Sequence, residues 1–268
     1  MTDTQPLVSI VTPSYNQSRF LQAAMDSVLG QSYPNIEYIV IDGGSSDESP
    51  AMIAARGDQL AYWVSESDKG QTNAINKGFD RAKGEILAWL NSDDTYEPHA
   101  VAQAVEYLSA HPQVGLVYGE ANFIDEHGRV IGRFPAAQTD HARLRQGYVH
   151  IPQQAAFWRA DLWRRVGPLD ENLYFAMDYD LWLKLTAVSE ARYLPGRVWA
   201  NFRLHGDSKT IAEDERGWDE MVQIHYRDGG SRLSIITIKY VFRKLLAPLV
   251  TWRRRSRVRQ AREYGTDE

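Results

Sequence analysis

The strongest constraint on the fold is a strict alternation of short apolar strands and amphipathic helices over the first 118 residues. Strands are predicted over 7–11, 36–41, 60–64, 86–90 and 114–117, and the segments between them have helical periodicity. Strands that are joined by helices run parallel, because the helix carries the chain back across the sheet before the next strand begins. The pattern therefore predicts an α/β fold with an open, mostly parallel sheet and helices on both of its faces.

The alternation stops near residue 118, and the second half of the chain has a mixed α+β pattern. We predict a hairpin over 122–131, a strand over 155–158, a helix over about 178–188, and strands near 191–193 and 198–204. Neither an internal repeat nor a low-complexity linker separates the two halves, so we expect them to share one core. The predicted organisation is a first half over 1–118, a second half over 119–228 and a C-terminal tail over 229–268.

Cysteine is absent from the 268 residues. Its absence excludes disulfides, thiolate nucleophiles and zinc–thiolate sites, and it leaves carboxylate, imidazole and solvent oxygen as metal ligands. A reducing compartment, the cytoplasm, is the expected location. No apolar run approaches the roughly 18 to 20 residues that cross a bilayer, and the first residues lack the basic segment of a signal peptide. We therefore expect a soluble or peripheral protein.

Charge is distributed unevenly along the chain. The formal net charge is −5, yet residues 229–268 hold 10 of the 30 Lys and Arg residues and only 3 of the 35 Asp and Glu residues. The body is therefore acidic, which argues against nucleic acid as a partner, because binding phosphates needs a basic face. Residues 232–262 combine apolar and basic side chains, so we expect them to contact the inner face of the cell membrane, to form a homodimer, or to complete the core.

Acidic side chains follow three of the first four predicted strands, at the edge where open parallel sheets bind ligands. They are Asp42, Asp68 and the adjacent pair Asp93 and Asp94. Each of them alone has a structural explanation, because aspartate is common in turns and at helix N-termini. Together they repel one another unless a cation or hydrogen-bond donors are present. The adjacent pair suits a hard divalent ion, Mg²⁺ or Mn²⁺, with a diphosphate as the source of further oxygen ligands.

Six motifs occur in order between about residues 7 and 210: TPSYN, IDGGSSD, SESDKGQTNAINKG, LNSDD, FAMDYDLWLKL and RLHGDS. In this order and spacing the chain resembles the family 2 glycosyltransferases, which have the nucleotide-diphospho-sugar transferase fold called GT-A. The resemblance implies a Rossmann-like, mostly parallel central sheet flanked by helices. It also implies that residues 1–118 bind the nucleotide sugar and that residues 119–228 form the acceptor and catalytic half of the same domain, followed by a helical tail.

The resemblance implies roles for residues around the donor. Those that match family positions beside the nucleoside or the diphosphate are Thr12, Pro13 and Tyr15 in the first loop, Asp42 and Asp68 as acceptors from the base or ribose, and Asn76 with Gly78 in a segment beside the nucleotide. Asp93 and Asp94 match the DXD element, with Asp93 toward the ribose and Asp94 on the metal. His205 matches a late histidine that approaches the metal and the diphosphate.

The family's catalytic base matches Asp178, although Met177 stands where the family usually has a glutamate. The structural alternative is that Asp178 only caps its helix, in which case Asp180 is the next candidate. The reaction that the resemblance implies is inverting transfer of a hexose from a nucleotide sugar to a hydroxyl of a glycan or lipid-linked acceptor, within polysaccharide biosynthesis at the cell envelope. UDP is the first choice of nucleotide, with dTDP and GDP as alternatives.

Residues near the acceptor are less clearly marked. His150, Gln153 and Gln154 precede a predicted strand in the variable half, and amide side chains suit sugar recognition. Trp158, Trp163 and Trp182 either bind sugar or pack in the core, and core packing is the stronger expectation.

Three other functions stay open. A catalytically silent nucleotide-sugar-binding module and a hydrolase without an acceptor both fit the donor motifs. A dinucleotide oxidoreductase is disfavoured, because no Gly-x-Gly-x-x-Gly follows the first strand.

Overall fold

The computed structural model describes residues 5–206 and 214–245, without the side chains of 214 and 215, and its elements follow the predicted order. The strands are β1 (Val8–Ser14), β2 (Ile36–Asp42), β3 (Tyr62–Ser65), β4 (Ile86–Trp89), β5 (Thr95–Tyr96), β6 (Val114–Ile124), β7 (Val130–Arg133), β8 (Ala156–Arg159) and β9 (Glu190–Arg203). The helices are α1 (Ser18–Leu29), α2 (Ser49–Ala54), α3 (Gln71–Phe79), α4 (Ala100–Ala110), α5 (His141–Leu144), α6 (Ala160–Val166), α7 (Met177–Val188) and α8 (Asp214–Arg227).

The first half confirms the parallel sheet that the alternation predicts. β1 pairs parallel with both β2 and β4, and β2 pairs parallel with β3. Every residue of β1 is buried, as expected of a central strand with helices on both faces. The carboxyl ends of these four strands therefore meet at one edge, where the loops after β1, β3 and β4 come together.

The fifth strand of the alternation, β6, runs parallel to the other four but pairs with none of them. β6 runs in the same direction as β4, but β8 lies between them and pairs antiparallel with both, through Leu87–Trp158 and Leu116–Trp158. The full order is β3-β2-β1-β4-β8-β6-β9-β5, with β7 paired to β6. Local patterning cannot reveal this insertion, because a four-residue strand is placed by long-range packing and not by its connection to the preceding element.

The second half contains the predicted hairpin and a long strand in place of two short ones. β6 and β7 pair antiparallel on either side of the turn at Gly128. The predicted strands at 191–193 and 198–204 are both part of β9, whose pairing with β6 shifts register between Tyr193 and Val198. Gly196 adopts a positive φ of 75° within this irregular stretch, which explains why the sequence pattern is interrupted there.

Hydrophobic side chains cover both faces of the sheet. One cluster joins strand residues to α3, α6 and α7, and the other joins the opposite face to α1 and α4. Trp89, Trp158 and Trp182 are all buried in the first cluster, and the rings of Trp89 and Trp182 stack with centroids 6.1 Å apart. The predicted core role of Trp158, Trp163 and Trp182 is thus confirmed. Because Trp182 belongs to α7, this packing fixes that helix against the sheet.

A further helix over residues 235–245 follows α8. Within the two ranges that the structure describes, no helix has the length and apolar character needed to cross a membrane. Residues 246–262, which make up more than half of the predicted membrane-contact or dimerisation segment, lie outside the described residues.

Candidate active site

A cleft of about 770 Å³ opens at the carboxyl edge of the parallel strands. It is lined by residues of the loops after β1, β2, β3 and β4, of the start of α7, of the 149–154 segment and of β9. Asp94 and Asp178, which are 84 positions apart in the chain, both line it. The lining also includes Pro13, Tyr15, Gly43, Asp68, Gln71, Asn91, Asp93, Phe134, Gln154, Tyr174, Phe175, Met177 and Phe202.

Asp94 is held rigidly at the bottom of the loop after β4. Its backbone N–H donates to the Asn91 carbonyl, and its side chain is almost completely buried. One carboxylate oxygen accepts from the backbone N–H of Arg203 at 2.9 Å, and the other accepts from the Asn91 amide at 3.4 Å. Burial raises the pKa of Asp94 well above its ordinary value, and the adjacent Asp93 carboxylate raises it further. A cation bound beside Asp94 would stabilise its ionised carboxylate against both the cost of burial and the repulsion by Asp93.

His205 and Arg203, at the end of β9, lie directly against the loop after β4. His205 Nε2 is 3.0 Å from the Asp93 carboxylate, and its ring packs on Phe20 with centroids 4.7 Å apart. The guanidinium Nε of Arg203 donates to the Asp93 carbonyl at 2.8 Å. His205 is buried and does not line the cleft, but it is in position to orient Asp93. Sequence patterning did not identify Arg203, although it lies in the same motif as His205.

The residues around Asp94 suit a divalent ion. Two neighbouring carboxylates supply oxygen ligands of the kind that Mg²⁺ and Mn²⁺ accept, and the His205 imidazole contacts one of them, Asp93. Among the described residues, no group of three or more His, Asp or Glu side chains converges as a complete metal site. An ion held by Asp94 would therefore need further oxygen ligands from a diphosphate or from solvent.

Asp178 lies in the first turn of α7 and also lines the cleft. Its side chain is half-buried, and one carboxylate oxygen accepts from the backbone N–H of Tyr179 at 2.7 Å. Burial raises the pKa of Asp178 to about 6, although this hydrogen bond favours the charged form. Near neutral pH the carboxylate is thus mostly ionised and is a stronger base than an exposed aspartate. Met177 beside it adds an apolar group where a second carboxylate would raise this pKa further.

Asp180, the other candidate base, does not line the cleft. Its side chain is fully buried and pairs with Lys184 at 2.9 Å and with Arg227 of α8. This arrangement ties α7 to α8 and leaves Asp178 as the carboxylate of that helix within the cleft.

Four of the predicted donor residues, Pro13, Tyr15, Asp68 and Asp93, line the cleft. Tyr15 is 63% exposed, so its ring is free to stack on a ligand.

Thr12 and Asp42 are buried behind the cleft. The Thr12 hydroxyl accepts from the Tyr38 hydroxyl at 3.0 Å. The Asp42 carboxylate accepts from the Ser45 backbone and hydroxyl and from the Ser65 hydroxyl, all within 2.9 Å. These bonds shape the turn that places Gly43 on the cleft wall, so a direct contact of Thr12 or Asp42 with a ligand stays a prediction.

Asn76 and Gly78 of α3 have structural partners. The Asn76 side chain donates to the Leu169 carbonyl at 2.9 Å and accepts from the Leu169 N–H at 3.0 Å. Gly78 packs on β1, since a Cβ there would lie 2.4 Å from a methyl group of Val11. The predicted nucleotide contact of Asn76 also stays a prediction.

Aromatic side chains also line the cleft. Phe134, Phe202, Tyr174 and Phe175 line it together with Gln154, whose side-chain nitrogen is buried without a hydrogen-bond partner among the described residues. Gln153 also lines the cleft, whereas His150 does not and instead bonds to the Pro135 carbonyl. Phe175 is the first residue of the FAMDYDLWLKL motif and Tyr174 directly precedes it, so both could have been inferred from that motif. Phe134 and Phe202 come from distant segments, and no local signal marks them.

Comparison with known proteins identifies the family. The family model for Glycosyl transferase family 2 matches residues 9–166. An uncharacterized glycosyltransferase of Mycobacterium tuberculosis is 36% identical over 188 residues, which cover 69% of this chain and 71% of the relative. One of Rickettsia typhi is 31% identical over 212 residues, which cover 76% of this chain and 66% of the relative, so the chain spans just under two thirds of that protein.

Solved structures with a similar fold are also glycosyltransferases of the GT-A type. S. aureus TarS 1-349 in complex with UDP-GlcNAc matches 88% of this chain and 71% of its own, with a TM-score of 0.70 and 15% identity. The mannosyltransferase PcManGT from Pyrobaculum calidifontis in complex with GDP-Man and Mn²⁺ matches 89% and 70%, with a TM-score of 0.66 and 20% identity. At identities this low, the similarity to these two structures shows only a shared fold. The family model and the relatives above 30% identity show that the sequence itself is related. The chain therefore belongs to the glycosyl transferase family 2.

Proposed function

We propose that the protein transfers a hexose from a nucleotide-diphospho-sugar, a UDP-sugar as the first choice, to a hydroxyl of a glycan or lipid-linked acceptor. The observation that carries the proposal is that Asp94 and Asp178 both line one cleft. Such an arrangement lets one carboxylate serve the leaving group while the other serves the attacking hydroxyl. The donor half is then residues 1–118, the acceptor half is residues 119–228, and residues 229–268 are the basic C-terminal tail.

The donor lies along the loops after β1, β3 and β4 in this proposal. Tyr15 and Asp68 contact the nucleoside, and Asp93, oriented by His205, faces the ribose. Asp94 would hold a divalent ion, which when bound stabilises negative charge on a leaving diphosphate. TarS with UDP-GlcNAc and PcManGT with GDP-Man and Mn²⁺ support a nucleotide sugar as the ligand class.

Asp178 acts as the general base. The oxygen of the acceptor hydroxyl forms a bond to the anomeric carbon, and the proton of that hydroxyl passes to Asp178. The bond between the anomeric carbon and the phosphate oxygen breaks, and its electron pair leaves with the diphosphate. A single displacement of this kind inverts the anomeric configuration. The half-buried site of Asp178 favours this role, since burial makes its carboxylate more basic.

We further propose that the C-terminal helix, residues 235–245, contacts an anionic membrane surface. Ile238, Phe242 and Leu245 recur at helical spacing and are 46%, 61% and 68% exposed. Lys239 and Arg243 flank this apolar face, and no acidic residue occurs between 229 and 262 in the sequence. Apolar surface beside basic side chains suits the interface of an anionic lipid membrane, and contact there would place a cytoplasmic enzyme near a lipid-linked acceptor.

Melting temperatures with nucleotides test the proposed donor site. UDP, dTDP and GDP are each added with Mn²⁺ or with a chelator, and UDP with Mn²⁺ is expected to raise the melting temperature most. Release of nucleoside diphosphate from nucleotide sugars is then measured with and without acceptor glycans. Stabilisation without any turnover would identify a silent binding module, and turnover that no acceptor accelerates would identify a hydrolase. The absence of any response to nucleotides would refute the donor site.

A further inference from the structure

A single carboxylate of α8 holds the turn that precedes α7. Glu220 is buried, and its two oxygens accept the backbone N–H groups of Tyr174 at 3.0 Å, Phe175 at 2.7 Å and Ala176 at 2.9 Å. Arg216, one helical turn earlier, donates to the same carboxylate at 3.2 Å. A buried carboxylate is tolerated only when such donors replace its hydration, and hydrogen bonds to a charged acceptor are stronger than neutral ones.

The same face of α8 also supports the side chains of this turn. The guanidinium of Arg216 lies 4.2 Å from the centre of the Tyr174 ring. Gly217 packs directly on Phe175, since a Cβ at Gly217 would come within 2.5 Å of that ring. Tyr174 and Phe175 in turn line the cleft, whereas Glu220, Arg216 and Gly217 do not. The influence of Glu220 on the cleft therefore passes through the 174–176 turn, whose backbone it holds.

We propose that Glu220 is a positioning residue, which holds the 174–176 turn so that Asp178 faces the cleft and Tyr174 and Phe175 form its aromatic wall. Only Met177 separates the clamped backbone from Asp178, so loosening of the turn changes where that carboxylate points. The proposal rests on the proposed function of Asp178. It assigns Glu220 an effect on the catalytic step and on acceptor binding, and none on the donor loops across the cleft.

Two substitutions, made in the whole chain, weaken the hydrogen bonds between Glu220 and the 174–176 turn to different extents. Glu220→Gln keeps the length of the side chain and one acceptor oxygen, so it retains part of the hydrogen bonding, and Glu220→Ala removes all of it. Asp219→Asn is the matched control, because Asp219 is the neighbouring exposed carboxylate and contacts Tyr240 and Lys244 on the surface. Hydrogen exchange of the 174–176 amides is measured together with kcat, the KM for donor and the melting-temperature rise with nucleotide.

We expect amide exchange in the turn to increase from wild type to Glu220→Gln to Glu220→Ala. The value of kcat should fall about tenfold in the first variant and on the order of 100-fold in the second, because small displacements of a catalytic group are costly. The KM for donor and the response to nucleotide should change less than about twofold, since the donor loops keep their geometry. Asp219→Asn should match the wild type in every measurement.

Unchanged exchange at the 174–176 amides would overturn the proposal, and so would increased exchange there with kcat unchanged. If exchange rises throughout the chain in Glu220→Gln as well, Glu220 has only a general structural effect, and the proposal is again wrong. Lack of turnover in the wild type would instead refute the proposed function. The exchange pattern of the variants would still decide whether Glu220 holds the turn.

Discussion

Replacement of Asp178 by asparagine should stabilise the protein while it abolishes most of the activity. Burial raises the pKa of Asp178 from 3.8 to about 6. A rise of this size corresponds to a cost of roughly 3 kcal/mol for keeping the group ionised in the folded state. Asparagine is neutral and nearly the same shape, and its oxygen can still accept from the Tyr179 N–H. The variant therefore removes the cost of the charge without removing the hydrogen bond.

The size of this effect depends on pH. The folded state binds the Asp178 proton more tightly than the unfolded state does, so the cost vanishes below about pH 4, where both states are protonated. It grows between about pH 4 and 6 and is complete above about pH 6. At pH 8 we expect Asp178→Asn to exceed the wild type by up to about 3 kcal/mol in unfolding free energy, or roughly 6 to 12 °C in melting temperature. Near pH 4 the gain should shrink below about 1 kcal/mol.

Denaturant unfolding and steady-state kinetics on the same samples test both halves of this prediction. Loss of a general base should lower kcat by about 10² to 10⁴-fold and leave nucleotide binding intact. In the wild type, kcat should decline as the pH falls through about 6, as the carboxylate is protonated. Asp161→Asn, at an exposed position of α6, is the control and should change stability by less than about 0.5 kcal/mol at either pH. A stability gain that is the same at both pH values, or turnover within about tenfold of wild type, would refute the reasoning.

Three further predictions concern the metal, the core and the tail. Asp94→Asn should lower the melting-temperature rise with UDP and Mn²⁺ to the value seen with chelator, because the ion loses its protein carboxylate. A variant that still responds to Mn²⁺ would show that Asp94 does not hold the ion. Gly78→Ala should cost about 1 to 3 kcal/mol in unfolding free energy, since the new methyl group meets Val11. Val11→Ala in the same chain should restore part of that loss, and additive effects would show that the two residues do not collide. The wild type should sediment with vesicles of phosphatidylcholine and phosphatidylglycerol but not with phosphatidylcholine alone, and Phe242→Glu with Leu245→Glu should abolish this. Concentration-dependent dimerisation without vesicle binding would assign the exposed face to a second copy of the chain.

Local sequence patterns predicted those parts of the fold that depend on contacts between elements adjacent in the chain. The first four strands and their helices are where periodicity placed them, because burial of one helical face and of a central strand leaves a regular mark in the sequence. No regular pattern in the sequence indicates that β8 lies between β4 and β6. Its Trp158 packs edge-on against Trp89 and Trp182, which lie far apart in the chain, and those contacts select the strand order.

The candidate site divides in the same way. The sequence by itself determined which loops meet at the ligand-binding edge, because parallel strands that are joined by helices present their carboxyl ends together. It also marked Asp94 and Asp178 as carboxylates that the fold brings to that edge. Only the tertiary structure showed that Asp42 and Asn76 form their hydrogen bonds with neighbouring residues. It also showed that Asp180 pairs with Arg227 and that Glu220 holds the turn before α7. Burial and hydrogen-bond partners come from segments about 20 to 110 residues away in the chain, and no local pattern encodes which of them will meet.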